Sequence, residues 1–313
     1  MRIVVALGGN ALTGPGGRAR PEDQEEAVRA AAPALGGLAA EHDLLITHGN
    51  GPQVGNLLVK NEIAASVVPP VPLDWCDAQT QGTIGTLLMD ALDEEFARRR
   101  LDRRIAALVT RTLVDPADPG FRHPTKPIGR YLPKDEAQPL LEHGQTWIDH
   151  GERGWRRVVA SPEPLEVLDA PAAAALLAAG FVVVAGGGGG VPTVRTFDSD
   201  GSLQLAGVQA VIDKDLTAAV LAEHLDADLL VIATDVDHAV VGWGTPDAEP
   251  LEEIGVKELR AYAERGEFGA GGMGPKVEAV CRFTERTGRP SAITSLHRIS
   301  EAAAGTAGTR VHS

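Results

Sequence analysis

Short, continuously apolar runs alternate along the chain with longer segments of helical composition. Runs of this kind, unbroken by polar positions, predict β-strands that are buried on both faces. The predicted strands are residues 3–7, 44–47, 105–110, 181–185, 229–234 and 292–294. The predicted helices are residues 21–40, 52–65, 78–100, 215–225, 256–266 and 275–287. This alternation predicts the α/β class with a mainly parallel sheet.

Two segments break this rhythm. Residues 115–164 are rich in proline, glycine, histidine and charge, yet they contain Trp147 and Trp155, so we expect an inserted subdomain rather than a plain linker. Residues 193–212 carry a turn sequence between two alternating stretches, which is typical of a β-hairpin. We place a lobe boundary there, with an N-terminal lobe of residues 1–212 that contains the insert and a C-terminal lobe of residues 213–313.

The net charge of the chain and the positions of its cysteines disfavour several classes of protein. The chain has 313 residues and a formal net charge of −14, which disfavours nucleic-acid or anionic-membrane surfaces because the long-range field would repel them. Cys76 and Cys281 are far apart and form no CxxC motif, so neither a disulfide framework nor a thiolate metal site is indicated. Residues 172–185, the most apolar stretch, are too few to span a bilayer. We therefore expect a cytoplasmic, membrane-free protein.

Five turns that follow strands or precede helices are candidates for anion binding. They are GGN (8–10), HGNGP (48–52), GGGGG (186–190), TDVD (234–237) and GAGGMGPK (269–276). Glycines let backbone N–H groups approach a phosphate closely. In an open parallel sheet, ligands bind where the strands end at their carboxyl termini. Several such turns at that edge predict a ligand that carries phosphate.

Some familiar phosphate and metal motifs are absent or fall in the wrong context. GAGGMG matches the dinucleotide pattern GxGxxG, but the segment before it reads as a helix rather than a strand. A P-loop needs a Gly-Lys dipeptide, which the sequence lacks, and no paired-histidine metal spacing occurs. We therefore expect no metal site built from protein ligands alone, and Mg²⁺ would arrive with a nucleotide.

Phosphoryl transfer also needs positive charges, and the first turn, VVALGGN, contains none. The chain has six lysines, and three of them stand in distinctive surroundings. Lys126 lies between two prolines in HPTKPIG, Lys214 lies between two aspartates in AVIDKDL, and Lys276 follows a proline suited to the start of a helix. These three are the candidate cations, whereas Lys60, Lys134 and Lys257 read as solvated surface residues. His48 could act as an acid or base, but bracing its loop is the favoured interpretation.

Taken together, these segments resemble the carbamate kinases of the amino acid kinase family. The matching runs include VVALGGNAL, ITHGNGPQVGNL, PLDWCDAQTQGTIG, PTKPIG, AGGGGGVP, GVQAVIDKDL and GGMGPKVEA, and they span nearly the whole chain. Many members of the family carry a lysine where this chain has Ala6, and the resemblance implies that Lys126 supplies that charge instead. It also implies an open three-layer αβα sandwich with a small protruding subdomain, and a homodimer.

The resemblance further implies reversible phosphoryl transfer between carbamoyl phosphate and ADP, giving ATP and carbamate with Mg²⁺. The N-terminal lobe would hold carbamate or carbamoyl phosphate, and the C-terminal lobe would hold ATP or ADP. Catalytic roles fall on Lys126, Lys214, Lys276, Asp213 and Asp215. Substrate contacts fall on Gly8, Gly9, Asn10, Gly49, Asn50, Gly51, Gly186, Gly187, Gly188 and Gly189. Nucleotide contacts fall on Thr234, Asp235, Val236, Asp237, Trp243 and Met273. The motif PLDWCD contains Trp75, to which the sequence assigns no role.

Three alternatives stay open at this stage. The first is another acyl-phosphate-forming amino acid kinase with a larger substrate, which the pairing of Ala6 with Lys126 disfavours. The second is a nucleotide-binding sensor without catalysis, which the presence of all three candidate lysines disfavours. The third is a nicotinamide-dependent dehydrogenase, which rests on the GAGGMG match alone.

Overall fold

The computed structural model describes residues 1–8, 12–14, 19–142, 144–269 and 272–313. The strands in these ranges are β1 (Arg2–Leu7), β2 (Asp43–His48), β3 (Arg104–Ala107), β4 (Arg111–Leu113), β5 (Lys126–Leu132), β6 (Thr146–Asp149), β7 (Trp155–Val159), β8 (Glu166–Val167), β9 (Phe181–Val184), β10 (Val191–Phe197), β11 (Leu203–Gly207), β12 (Leu229–Thr234), β13 (Val240–Val241), β14 (Glu249–Pro250), β15 (Glu253–Gly255), β16 (Ser291–Ser295) and β17 (Thr309–His312). The helices are α1 (Pro21–Glu41), α2 (Gly51–Ala64), α3 (Leu73–Arg99), α4 (Pro119–Arg122), α5 (Lys134–Glu142), α6 (Ala170–Ala178), α7 (Lys214–His224), α8 (Val256–Glu264), α9 (Gly274–Thr287) and α10 (Ile299–Ala303).

The largest sheet formed by the described residues has eight strands in the order β15-β17-β16-β12-β1-β2-β9-β3. Its neighbouring strands pair in parallel except β16 and β17, which are antiparallel. All six strands predicted from the sequence belong to this sheet, so the predicted mainly parallel α/β class is confirmed. The sheet places β1 between β2 and β12, and the turns that follow these three strands therefore meet at one edge.

Alternate residues of β1 pack into two different hydrophobic cores. Val4 and Ala6 pack with residues of α6, α7, α8 and α9 on one face of the sheet. Ile3, Val5 and Leu7 pack with residues of α1, α3 and α10 on the other face. Successive side chains of a strand point to opposite faces, so both faces of β1 must be apolar to support two helical layers. The result is the three-layer αβα sandwich that the family resemblance implied.

The segment predicted to be an insert carries its own antiparallel sheet, in the order β5-β7-β6. Leu132 and Trp147 of this sheet pack against Ala137 of α5 in a small core of their own. Strand β5 also contacts α2, which places the first residue of β5, Lys126, beside the main body of the protein. The predicted hairpin is present as β10 and β11, which pair antiparallel within a four-stranded sheet of the described residues.

Most predicted boundaries lie within two residues of those in the structure, and two differ by three residues or more. Helix α3 begins at Leu73, five residues before the predicted start, so the motif PLDWCD forms its first turns. Pro72, the residue before the helix, has an extended backbone, and the helix runs without a break from Leu73 to Arg99. Strand β3 ends at Ala107 rather than Thr110, because the backbone at Thr110 turns to hydrogen-bond with Val191 and with the side chain of Gln81.

Candidate active site

Three lysines from distant parts of the chain converge at the start of α7. Asp213 caps this helix, and its Oδ1 accepts a hydrogen bond of 2.9 Å from the backbone N–H of Asp215. The Oδ2 of Asp213 accepts a 2.9 Å hydrogen bond from Lys126 Nζ. Asp215 accepts from Lys214 through Oδ1 and from Lys276 through Oδ2, the latter at 3.0 Å. The structure therefore brings all five predicted catalytic residues together.

Each lysine reaches the cluster from a different element. Lys126 begins β5 of the insert, Lys214 is the first residue of α7, and Lys276 lies in the first turn of α9 after Pro275. Free N–H groups at the starts of α7 and α9 add partial positive charge beside the ammonium groups. Three ammonium groups facing two carboxylates leave an excess of positive charge, which suits a site that receives anions.

Burial and neighbouring charges shift the pKa values in this cluster. Burial works to raise the pKa of Asp213, but the charge and hydrogen bond of Lys126 outweigh it and hold the value below its ordinary range. Burial lowers the pKa of Lys214, and the charge of Lys276 adds to that effect, while Asp215 opposes it. Asp215 therefore holds two close ammonium groups in place that would otherwise repel each other.

A cavity of about 890 Å³ opens beside Lys276. It lies at the carboxyl ends of β1, β12 and β16, and its walls come from the loops that follow these strands and from the segment before α9. Its lining contains Gly8, Thr234, Asp235, Val236, His238, Val240, Trp243, Gly266, Glu267, Phe268, Gly269, Gly272, Met273, Lys276, Ser295, Leu296 and His297. The volume is in the range of pockets that hold drug-sized ligands. The lining includes five of the six residues predicted to contact the nucleotide.

The sixth predicted nucleotide contact, Asp237, does not line this cavity. Its carboxylate instead lies 3.8 Å from Arg298, in a partly exposed ion pair. The sequence analysis also missed part of the lining, including His238, Phe268 and His297. Ser295 ends strand β16 and His297 follows it, so the rule that ligands bind at the carboxyl ends of parallel strands could have indicated this loop.

The five-glycine turn packs tightly against the loop that follows β2. A Cβ on Gly187 would lie 2.4 Å from His48 Nε2, and a Cβ on Gly188 would lie 2.1 Å from Asn50 Nδ2. Gly188 also has a φ of +65°, which favours glycine. Thr47 donates a 2.8 Å hydrogen bond to the carbonyl of Gly186, which ties the two loops together. The predicted substrate loops 49–51 and 186–189 are therefore neighbours.

Gly189 links this turn to the lysine cluster. Its carbonyl oxygen accepts hydrogen bonds from Thr112 at 2.7 Å and from Thr217 of α7 at 3.0 Å. Gly8 lies at the same edge, where its N–H donates a 2.9 Å hydrogen bond to Ala233. Gly9 and Asn10, which the sequence analysis also predicted as substrate contacts, lie outside the described residues.

Gly51 also lies on a second, smaller cavity of about 480 Å³, between the start of α2 and the strand β5. Two basic side chains, Arg130 and Arg156, line it from the side of the insert. Gly51 begins α2, so its surroundings differ from those of Gly49 and Asn50.

His48 is buried, and its Nδ1 lies 3.0 Å from the carbonyl oxygen of Gly49. Burial lowers its pKa to about 4, and the nearby charge of Lys214 contributes to the shift while the hydrogen bond to Gly49 opposes it. A histidine with this pKa is neutral at physiological pH and donates Nδ1–H to the carbonyl. The geometry fits the predicted bracing of the loop.

A stripe of polar residues on α3 forms hydrogen bonds to the loops that carry Asn50 and Thr110. The sequence alone assigned no role to this stripe. Asp77, Thr80 and Gln81 are all buried at the spacing of one helical face. Asn50 donates to Asp77 and Thr80, and Gln81 exchanges hydrogen bonds with the backbone of Thr110. The spacing of polar residues in DAQTQ could have indicated this face. Trp75, on the same helix, is exposed.

The described residues contain no group of three or more histidine, cysteine, aspartate or glutamate side chains arranged to hold a metal ion. Asp213 and Asp215 are instead occupied by lysines. In the described part of the chain, no helix is both long and apolar enough to cross a membrane. Helix α8, not a strand, precedes the GAGGMG segment, which removes the context that a dinucleotide-binding turn requires.

Comparisons with known proteins show which family the sequence and the fold resemble. The model of the amino acid kinase family matches residues 1–295. The chain is 43% identical to a carbamate kinase of Thermococcus kodakarensis, over 99% of this chain and 98% of that protein. It is 40% identical to carbamate kinase 1 of Enterococcus faecium, over 95% and 94% of the two chains. A solved structure of carbamate kinase from Giardia lamblia bound to AMP-PNP has a TM-score of 0.92 and 39% identity, covering 99% of this chain and 98% of that chain.

Proposed function

Because the chain belongs to the amino acid kinase family, we propose that it catalyses the carbamate kinase reaction, the reversible transfer of a phosphoryl group between carbamoyl phosphate and ADP. The observation that carries this proposal is the convergence of Lys126, Lys214 and Lys276 on Asp213 and Asp215. Thr217 of the same helix as Lys214 donates a hydrogen bond to the glycine turn, and Lys276 lines the 890 Å³ cavity.

In the forward direction, a β-phosphate oxygen of ADP attacks the phosphorus of carbamoyl phosphate. The bond between phosphorus and the carbamate oxygen breaks, and its electron pair leaves with the carbamate, so that no proton transfer is needed. Such a reaction requires alignment and neutralisation of charge rather than a covalent intermediate. Three lysines and several backbone N–H groups, with no nucleophilic side chain among them, fit that requirement.

The positions of the lysines suggest a division of roles. Lys276 lines the cavity, so it would bind the phosphates of the nucleotide. Lys126 comes from the insert and does not line the cavity, so it would contact the transferred phosphoryl group or the carbamoyl phosphate oxygens. Lys214 shares Asp215 with Lys276 and would stabilise the charge that develops during transfer. Asp213 and Asp215 hold the ammonium groups apart and aligned.

The nucleotide would occupy the cavity, with its base among Val240, Trp243 and Phe268. The Giardia lamblia relative was solved bound to AMP-PNP, which supports nucleotide binding by this fold. Mg²⁺ would arrive with the nucleotide and neutralise phosphate charge, and Asp213 and Asp215 would help to hold it in addition to orienting the lysines. Carbamoyl phosphate would bind at Gly8, Gly49, Asn50 and the glycine turn 186–189. Gly9 and Asn10 extend this set in the sequence.

We also propose the lobe division at residues 212 and 213, a homodimer, and a cytoplasmic location. The order of strands in the sheet supports the lobes, because β12, β16, β17 and β15 all lie on one side of β1. The large exposed apolar side chains, such as Ile63, Val67 and Trp75, support the proposed homodimer, because exposed apolar patches often mark contact surfaces between proteins. Light scattering on the purified chain tests the dimer through its mass.

ATP formation from ADP and Mg²⁺ with different phosphoryl donors tests the proposed reaction. We expect carbamoyl phosphate to be used far better than acetyl phosphate or an amino-acid acyl phosphate. Equal or better use of another acyl phosphate would assign the chain to a different reaction within its family. Binding of ADP without turnover of any donor would instead indicate a nucleotide sensor.

A further inference from the structure

Asp77 is buried to 1% exposure on α3, and one of its carboxyl oxygens, Oδ2, has no hydrogen-bond partner among the described residues. A buried carboxyl group is costly unless its surroundings use it. The other oxygen, Oδ1, accepts a 3.0 Å hydrogen bond from Asn50 Nδ2. Asp77 therefore contacts, through Asn50, the loop that follows β2.

The orientation of the Asn50 amide follows from its partners. Its nitrogen lies 3.0 Å from Asp77 Oδ1 and 2.9 Å from Thr80 Oγ1. The Thr80 hydroxyl donates its own hydrogen to the backbone carbonyl of Asp77, at 2.8 Å, so towards Asn50 it can only accept. Both hydrogens of the Asn50 amide are thus committed to α3. Its carbonyl oxygen is the polar atom that remains for a ligand.

The same amide packs directly on the five-glycine turn, where a Cβ on Gly188 would lie 2.8 Å from Asn50 Oδ1. On the proposed function, this turn and the loop 49–51 enclose the carbamoyl end of the substrate. That end carries an amino group, which donates hydrogen bonds, where acetyl phosphate carries a methyl group of similar size. A carbonyl oxygen held in a fixed direction distinguishes these two substrates, because the methyl group leaves it unpaired.

We infer that Asp77 and Thr80 are positioning residues, which fix the amide of Asn50 so that its carbonyl oxygen accepts a hydrogen bond from the amino group of carbamoyl phosphate. This inference rests on the proposed function and extends it to the choice of substrate. Burial is the main cause that raises the pKa of Asp77, to about 8, and Asp74 adds to the shift while Asn50 opposes it. At neutral pH the carboxyl group is therefore mostly protonated, and its role is that of an acceptor of fixed geometry rather than of a charge.

The test compares kcat/KM for carbamoyl phosphate with kcat/KM for acetyl phosphate, with ADP saturating. In Asp77→Ala and in Thr80→Val, the ratio of the two values should fall by about tenfold or more, because the Asn50 amide is free to rotate. Asp77→Asn retains an acceptor at the same place and should keep most of the ratio. The KM for ADP should stay within about twofold of wild type in all three variants.

Asp74→Ala is the matched control, since Asp74 is a buried carboxylate one turn earlier on α3 and the hydrogen bonds of Asn50 among the described residues go to Asp77 and Thr80 instead. It should leave the ratio unchanged even if it lowers stability. A purely structural role of Asp77 would reduce both kcat/KM values equally, and this result would overturn the inference. Equal loss of the ratio in Asp77→Ala and Asp77→Asn would also overturn it.

A double-mutant cycle tests whether Asp77 acts on the substrate preference through Asn50. In an Asn50→Ala background, Asp77→Ala should cause no further fall in the ratio, whereas additive effects would contradict the inference. The two proposals fail separately. If the wild type uses carbamoyl phosphate and the variants keep its substrate preference, only the positioning roles of Asp77 and Thr80 are contradicted. If the wild type is inactive on carbamoyl phosphate, the proposed function is contradicted, and this inference with it.

Discussion

Lys126 Nζ lies 2.9 Å from Asp213 Oδ2, although 87 positions separate the two residues in the sequence. The lysine belongs to the inserted segment, and the aspartate caps the helix that carries Lys214. Ala6, where many amino acid kinases have a lysine, is fully buried in the central strand of the sheet. On the proposed function, Lys126 would supply this charge from a separate part of the fold, and the position of the insert would determine whether the cluster is complete.

Replacing Lys276 by alanine should weaken ADP binding by roughly tenfold or more, because a charge-assisted contact to phosphate is lost beside the cavity. Calorimetric titration with ADP and Mg²⁺ measures the effect. Lys257→Ala, an exposed lysine on α8, serves as the control and should bind ADP normally. Unchanged ADP affinity in Lys276→Ala would place Lys276 outside the nucleotide site.

Gly188→Ala should destabilise the protein by several kcal/mol, in the range of about 3–5 kcal/mol, because its Cβ would meet the Asn50 amide at 2.1 Å. Gly180 also has a positive φ, of +85°, but a Cβ there meets nothing within 4 Å. Gly180→Ala should therefore cost only the backbone strain, about 1–2 kcal/mol. Urea unfolding of both variants measures the difference, and equal costs would show that the contact with Asn50 does not require glycine.

His48 should make the protein less stable as the pH falls from about 6.5 to about 4. The unfolded chain binds a proton to His48 near pH 6.5, whereas the folded protein resists protonation until about pH 4, so acid favours unfolding in this window. The full effect is about 3 kcal/mol. The raised pKa of Asp77 has the opposite effect on stability as the pH falls. The contribution of His48 must therefore be measured as a difference between wild type and a His48 variant.

Urea unfolding of wild type and His48→Gln at pH 7 and pH 4.5 isolates this contribution. The stability difference between the two proteins should shift in favour of His48→Gln by about 2–3 kcal/mol at the lower pH. A difference that stays constant with pH would mean that His48 titrates normally in the folded state.

The periodicity of the chain was sufficient to predict six strands of the main sheet and the helices around them. Their order in the sheet was not predictable from it, because continuous apolar runs such as those of β1 and β12 carry no information on which strands pair. The lysine cluster was found because lysines are rare in this chain and three of them stand in unusual contexts. Its geometry depends on three elements whose packing only the structure shows.

The role of Asp77 and the lining by His238, Phe268 and His297 were missed for a different reason. A buried polar residue such as Asp77 has the same composition signal as a solvated one on a helix, and only its neighbours distinguish them. The cavity residues lie on irregular loops, where hydrophobic periodicity predicts nothing. Such residues become interpretable only when the carboxyl ends of β12 and β16 are placed side by side.

On the proposed function, Lys126 supplies the positive charge that β1 lacks. Lys126→Ala should lower the turnover of carbamoyl phosphate and ADP to ATP by at least about 10²-fold, because one preorganised contact to the transferred group is lost. The affinity for ADP should change little, since Lys126 does not line the nucleotide cavity. Lys134→Ala, an exposed lysine of the same insert, is the matched control and should retain full activity.

The decisive measurement is the rate of ATP synthesis from carbamoyl phosphate, ADP and Mg²⁺ by wild type, Lys126→Ala and Lys134→Ala, with spontaneous decomposition of carbamoyl phosphate subtracted. We expect fast synthesis by wild type and Lys134→Ala, and nearly none by Lys126→Ala. Normal turnover in Lys126→Ala would contradict this expectation and leave the charge at the first glycine turn to be supplied by another residue.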